Sequence, residues 1–77
     1  MTRVHRVLWR RQGKTLQFNC KGQWHTVREV LDRWKDTGEW WNGETPKLFV
    51  RFLTDSGVWE LYRDLPDGRW FFYRRYD

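Results

Sequence analysis

KLFVRFLTDSGVWELYRDLPDGRWFFYRR, residues 47–75, decides what kind of fold this chain adopts. Three runs rich in aromatic and β-branched residues, 47–54, 58–63 and 70–75, are separated by DSG (55–57) and DLPDG (64–68). Asp, Pro and Gly in those positions are what hairpin connections need: Pro pre-sets one turn dihedral, and Gly takes φ values that other residues avoid. The stretch therefore reads as an antiparallel meander of three strands.

Working toward the N-terminus, TLQFNC (15–20) alternates Leu16, Phe18 and Cys20 with Thr15, Gln17 and Asn19, the period of a half-buried strand. QGK (12–14) and KGQ (21–23) punctuate it on either side, and the β-branched and aromatic content of RVHRVLWRR (3–11) favours another strand. WHTVREVLDRWKDTG (24–38) supports two readings. Val27, Val30, Leu31 and Trp34 fall at helical spacing, Thr26 and Glu29 have capping-box spacing, and Gly38 suits a last turn. Trp24, Thr26, Arg28 and Val30 also alternate as in a strand. The expectation is strand at 24–26 and a short helix over 27–36. The fold class is then mainly β: a single small β-rich domain spanning 1–77, a twisted antiparallel sheet or small open barrel of about five strands with one short helix.

A chain of 77 residues buries a modest share of its surface, so its stability margin is thin. Cys20 is the single cysteine, which rules out an internal disulfide, and no Cys/His cluster suggests a structural zinc. Cys20 reads as a small strand residue. Seven Trp, five Phe and three Tyr, each with roughly 150–250 Å² to bury, are the resource from which a core is built. No apolar run reaches the roughly 20 residues of a membrane-spanning helix, and no secretory signal pattern opens the chain. A cytoplasmic protein with no membrane partner and no cofactor is expected.

Charge is unevenly placed. Residues 1–28 carry seven basic side chains and no Asp or Glu, whereas residues 29–77 carry eight basic and ten acidic ones. A segregated basic segment suits a phosphate-bearing partner, because each neutralised phosphate releases counterions; a solvated face that keeps a small protein soluble is the alternative. Arg pairs also stand beside rings in LWRR (8–11) and FFYRRY (71–76), a pattern in which bases stack on rings while guanidinium groups hold phosphates. The candidate nucleic-acid-binding residues are Arg3, Arg6, Arg10, Arg11, Lys14, Lys21, Arg74 and Arg75.

Catalytic patterns are missing. His5 and His25 are isolated and read as surface polar residues, and Ser56 lies in a turn with no base near it in sequence. Glu60 and Asp64 are four apart in a strand-to-turn context that predicts no shared face. Gly38 and Gly43 flank a Trp pair and match no phosphate-loop fingerprint. A non-enzymatic module with no small-molecule substrate is expected.

That Trp pair, in GEWWNGE (38–44), has two readings. In an extended chain Trp40 and Trp41 point to opposite sides, so one plugs the core and the other waits for a partner. Alternatively both rings fold onto the core. Trp40 and Trp41 are the candidate partner-binding residues, and a protein-interaction module is the competing function.

From Trp24 to Asp77 the chain resembles a family of short bacterial proteins of unknown function that share a V-x-x-V-L-D-R-W segment, a G-x-W-W pair and a closing E-L-Y-R-D…G-x-W…Y-D. From GEWW onward it is also similar to the C-terminal extension of ImuB, the polymerase-like subunit of a bacterial mutagenic repair complex. The corresponding residues here are Trp40, Trp41, Tyr62, Arg63, Asp64 and Trp70. ImuB is regarded as a non-catalytic adaptor that recruits a replicative-type polymerase to damaged DNA. The resemblance implies an accessory in DNA repair or replication, with nucleic acid, a polymerase or another member of a repair complex as partner.

Overall fold

Both hairpins expected from DSG and DLPDG form in the computed structural model, which describes residues 5–76. Six strands follow in order: β1 (Arg6–Gln12), β2 (Thr15–Cys20), β3 (Gln23–Asp36), β4 (Lys47–Thr54), β5 (Gly57–Asp64) and β6 (Trp70–Tyr76). A single 3-10 turn at Trp40–Asn42 lies between β3 and β4. Each strand pairs antiparallel with the next, and β1 pairs with β6, closing a small barrel. No helix among the described residues is long and apolar enough to cross a membrane.

The helix expected over 27–36 is a strand. β3 runs for 14 residues and pairs with β4 from Val27↔Thr54 to Asp36↔Lys47. Its register shifts between Val27 and Glu29 and again between Val30 and Asp32. Each bulge inserts a residue and breaks the period of two, which is how a strand came to carry apolar residues at helix-like spacing. Nor do those residues share a buried face. Val27 packs on the core opposite Thr54, while Trp34 pairs with Phe49, five residues away and so on the other face of β4. Val30 and Leu31 are exposed. Fourteen residues at about 3.3 Å each make β3 comparable in contour length to the molecule's longest extent, 41 Å. Because β2 pairs only with residues 23–26 of β3, the rest of β3 has β4 on one side and no described strand on the other.

The core lies where the alternating faces meet. Val7, Phe18, Cys20, Val50, Phe52, Trp59 and Leu61 are buried together, and Trp9, Trp70 and Phe72 pack against them. Phe18 and Leu61 are fully shielded from solvent. Burial pushes the Cys20 thiol above its ordinary range, consistent with a packed strand residue. The seam between β1 and β6 is the thinnest, with register pairs only at Arg6↔Phe71 and Val7↔Trp70 and one further bond from Phe72 N to His5 O at 2.8 Å. Trp9 spans it. Its ring centroid lies 5.3 Å from Trp70, 5.5 Å from Phe52 and 5.5 Å from Phe18, two of the three contacts edge-to-face.

Phe18→Ala is expected to cost about 3–5 kcal/mol, most of the stability available to a domain this small. Urea or thermal denaturation checks it. Trp9→Leu is expected to speed amide exchange first in β1 and β6, ahead of β4 and β5.

Candidate nucleic-acid interface

Strand alternation gives β1, β2 and the start of β3 a common outer face. Val7 and Trp9 turn inward, so Arg6, Leu8 and Arg10 turn outward beside Gln17, Asn19, Trp24 and Thr26. Arg10 Nε donates to Gln17 Oε1 at 2.8 Å, and Gln17 Nε2 donates to Thr26 Oγ1 at 3.0 Å. This chain of bonds across three strands holds the Arg10 guanidinium 3.9 Å above the centroid of the exposed Trp24 ring. Arg11, opposite Leu16, points to the other face of the hairpin, where it runs past the core. Lys14 sits in the β1–β2 turn and Lys21 in the β2–β3 turn, its Nζ 5.1 Å from the Phe72 ring centroid.

Arg6, Arg10, Arg11, Lys14 and Lys21 are all exposed. The ion pairs among the described residues are Arg51–Glu60, Arg69–Asp67 and Arg74–Glu60, so none of these five is tied to a carboxylate. Asp55 is the acid at the border of this face, its Oδ1 accepting from Thr26 N at 3.2 Å. Arg3 lies outside the described residues.

Arg74 and Arg75 are engaged differently. Arg74 Nε approaches Glu60 Oε1 at 3.3 Å, and its guanidinium lies over Tyr73 and Tyr76. Arg75 Nη2 donates to Ser56 O at 2.8 Å and covers the Trp59 ring. Both are exposed, but each guanidinium already serves a contact within the fold.

Glu60, weighed in the sequence only against Asp64, has its partners elsewhere. It is 1 % exposed although it lies on the outer face, because Arg51 Nε and Tyr76 Oη both donate to Oε2, at 2.8 and 2.7 Å, and Arg74 closes from the other side. The Arg51 guanidinium is held above its ordinary value, mainly by that hydrogen bond. Oε1 has a cation nearby but no aligned hydrogen bond. The signal was the turn: Thr54 opposite Gly57 fixes Arg51 opposite Glu60. Around this group the outer face carries a second aromatic cluster, in which Trp34 and Phe49 stack within 4° of parallel and Tyr62, Phe71 and Tyr73 continue the contacts.

His25, expected at the surface, is buried. Its ring packs 4.4 Å from Trp59 and 5.3 Å from Phe18 and caps one end of the core. The base that sequence proximity did not reveal for Ser56 is this one, 31 residues away: His25 Nδ1 and Ser56 Oγ are 2.7 Å apart. Trp59 Nε1 also donates to Ser56 Oγ, at 3.2 Å, and Thr54 Oγ1 lies at the same distance. The hydroxyl is thus hemmed in by an imidazole, an indole and a threonine, an arrangement that pins the β4–β5 turn to the barrel end. Trp40 and Trp41 follow neither reading of their sequence. Both sit in the 3-10 turn and both face solvent, at 76 % and 66 % exposure, their rings edge-to-face at 5.7 Å.

Two outcomes are expected. Burial lowers the His25 pKa from 6.5, with Asp55 raising it and Arg75 lowering it less strongly. The unfolded chain therefore takes up the proton first, and stability present above pH 6.5 is lost as the pH falls through the folded-state value. Chemical denaturation across that range shows the loss in the native chain and a flatter profile in His25→Gln. Glu60→Gln is expected to cost about 1–3 kcal/mol by the same measurement, since it removes a charge-assisted acceptor while both arginines stay solvated.

No protein family, curated protein or solved structure matches the chain.

Proposed function

We propose that this protein is a non-enzymatic nucleic-acid-binding module, an accessory in DNA repair or replication acting in the cytoplasm. Its interface is the outer face of β1, β2 and the start of β3 together with the hairpin ends. The observation that carries the reading is the Arg10–Trp24 plate set among exposed cations that have no carboxylate partner among the described residues. A guanidinium without an ion pair among the described residues gives none up when it meets a phosphate, and stacked on the Trp24 ring it offers its own outer plane to a base. Arg6 shares the outer face with this plate and Lys14 and Lys21 stand at the hairpin ends, placed to follow a phosphate backbone, while Arg11 lies on the opposite side of the hairpin. The place in repair or replication rests on the resemblance to the ImuB extension.

Fluorescence anisotropy with labelled single- and double-stranded oligonucleotides at several salt concentrations is the test. Affinity is expected to fall with salt, with a log–log slope of roughly −0.7 per phosphate contacted on single strands and −0.9 on duplex. Arg6→Ala with Arg10→Ala is expected to flatten that slope by about one to two contacts while the chain stays folded, its melting temperature lowered by no more than the loss of one exposed cation–π contact and one exposed hydrogen bond. Absence of binding up to about 100 μM protein at low salt would reject the reading.

A further inference from the structure

The loop between β3 and β4 holds its two indoles out on a braced frame. Gly38 N donates to Asp36 Oδ1 at 2.9 Å, Glu39 N to Glu44 Oε2 at 2.8 Å, and Asn42 Nδ2 to Glu39 Oε2 at 2.7 Å. The backbone adds Asn42 N to Glu39 O at 2.8 Å, Glu44 N to Glu39 O at 3.3 Å and Gly43 N to Trp40 O at 3.1 Å. Gly38 is required at its position: its φ is +71°, and a Cβ there would lie 2.9 Å from Thr45 O. Every carboxylate of the loop helps to brace it, and none has a cation within ion-pair distance among the described residues.

The frame has a chemical consequence. Trp40 and Trp41 are mostly exposed, and water contact on that much indole surface is unfavourable unless something covers it. Residues 36–44 carry three carboxylates, Asp36, Glu39 and Glu44, and no base, in a chain whose net charge is +5; the flanking Lys35 and Lys47 lie on the strands below, Lys47 Nζ donating to Thr45 O at 3.1 Å. Phosphate groups, whether of nucleic acid or of an anionic bilayer, are repelled from such a loop, whereas lysine and arginine side chains are drawn to it. Because the loop is already ordered by its internal bonds, docking it sacrifices little conformational freedom.

We propose that residues 36–44 are a protein-docking loop, which inserts Trp40 and Trp41 into an apolar cleft rimmed by lysine or arginine on a partner protein. This site is separate from the β1–β3 face and stands whether or not that face binds nucleic acid.

Trp40→Ala/Trp41→Ala and Glu39→Gln/Glu44→Gln are the informative variants. The first removes the anchors; the second removes charge but leaves an amide oxygen where each carboxylate accepts its bond. Caesium and iodide ions probe the loop directly. The emission lost in the double tryptophan variant is expected to be quenched more by caesium in the native chain, and stronger quenching by iodide overturns the charge argument. Proteins from a lysate of the source cells that the immobilised native chain retains, and the double tryptophan variant does not, are then purified and titrated. Support is a saturable complex weakened at least roughly 30-fold by the tryptophan variant and weakened, with a smaller salt dependence, by the glutamine variant.

Other outcomes overturn the proposal: no protein retained differentially, or a purified complex indifferent to either variant. So does loss of oligonucleotide affinity in the tryptophan variant, which would assign the loop to a nucleic-acid site. A blue shift of native emission on phosphatidylcholine vesicles would make the occupant a lipid surface. A concentration-dependent dimer in sedimentation that the tryptophan variant abolishes would make it a second copy of this chain. Unchanged far-ultraviolet dichroism in both variants shows that the barrel is intact throughout.

Discussion

Between β1 and β6 the barrel is held by two register pairs, one further backbone bond, and the Trp9 ring set among Trp70, Phe52 and Phe18. Backbone pairing alone would leave this seam poorly closed. Aromatic contacts are worth about 0.5–1.5 kcal/mol each beyond the area they bury, so three around one ring match what as many extra ladder bonds would add, and the buried ring surface comes on top. The remaining design follows from that closure. Once β1 is fastened to β6, the β1–β2 hairpin is anchored at one end, and its cations are carried on a fixed surface. The aromatic load of this short chain thus goes first into closing the barrel, and what is left over lies outside it.

Where turn chemistry and alternation agreed, the fold was legible. DSG and DLPDG place β4, β5 and β6, and Leu16, Phe18 and Cys20 mark β2, although Leu16 itself lies beyond the core and is exposed. β3 was not legible past residue 26, because two bulges remove the very periodicity by which a strand is known. Its strand state is set by β4, a partner more than ten residues away, and local capping signals at Thr26, Glu29 and Gly38 give way to that pairing. The candidate interface was legible as composition and not as geometry. Arg10 is joined to Trp24 through Gln17 and Thr26, a relation that exists only after three strands are in register. His25 was misplaced for a similar reason: its neighbours Trp59 and Ser56 arrive from another hairpin.

The carboxylates divide into groups with different duties. Glu60 is paired with two arginines and hydrogen-bonded by a tyrosine, which lets a charged side chain lie buried on the outer face of a sheet among rings. Asp36, Glu39 and Glu44 bend and brace a loop, and none of them forms an ion pair among the described residues, Lys47 opposite Asp36 donating to Thr45 O instead. Since Arg6, Arg10, Arg11, Lys14 and Lys21 likewise form no ion pair among the described residues, the molecule carries groups of opposite charge in two separate places. A small domain arranged this way can present itself to two partners of different chemistry at once.

The unpaired flank of β3 also bears on how the chain survives before it is fully folded. A long strand that, like β3 among the described residues, has a partner on one side alone is ordinarily a template on which a neighbouring molecule extends the sheet, the first step toward insoluble fibres. Here the flank carries Arg28, Glu29, Asp32, Arg33, Lys35 and Asp36, and its spacing is twice interrupted. An incoming strand would have to strip water from alternating charges while failing to keep step with the irregular backbone. The same bulges that hid this strand from a periodicity reading thereby act as a guard, letting crowded newly made copies fold past one another without stacking.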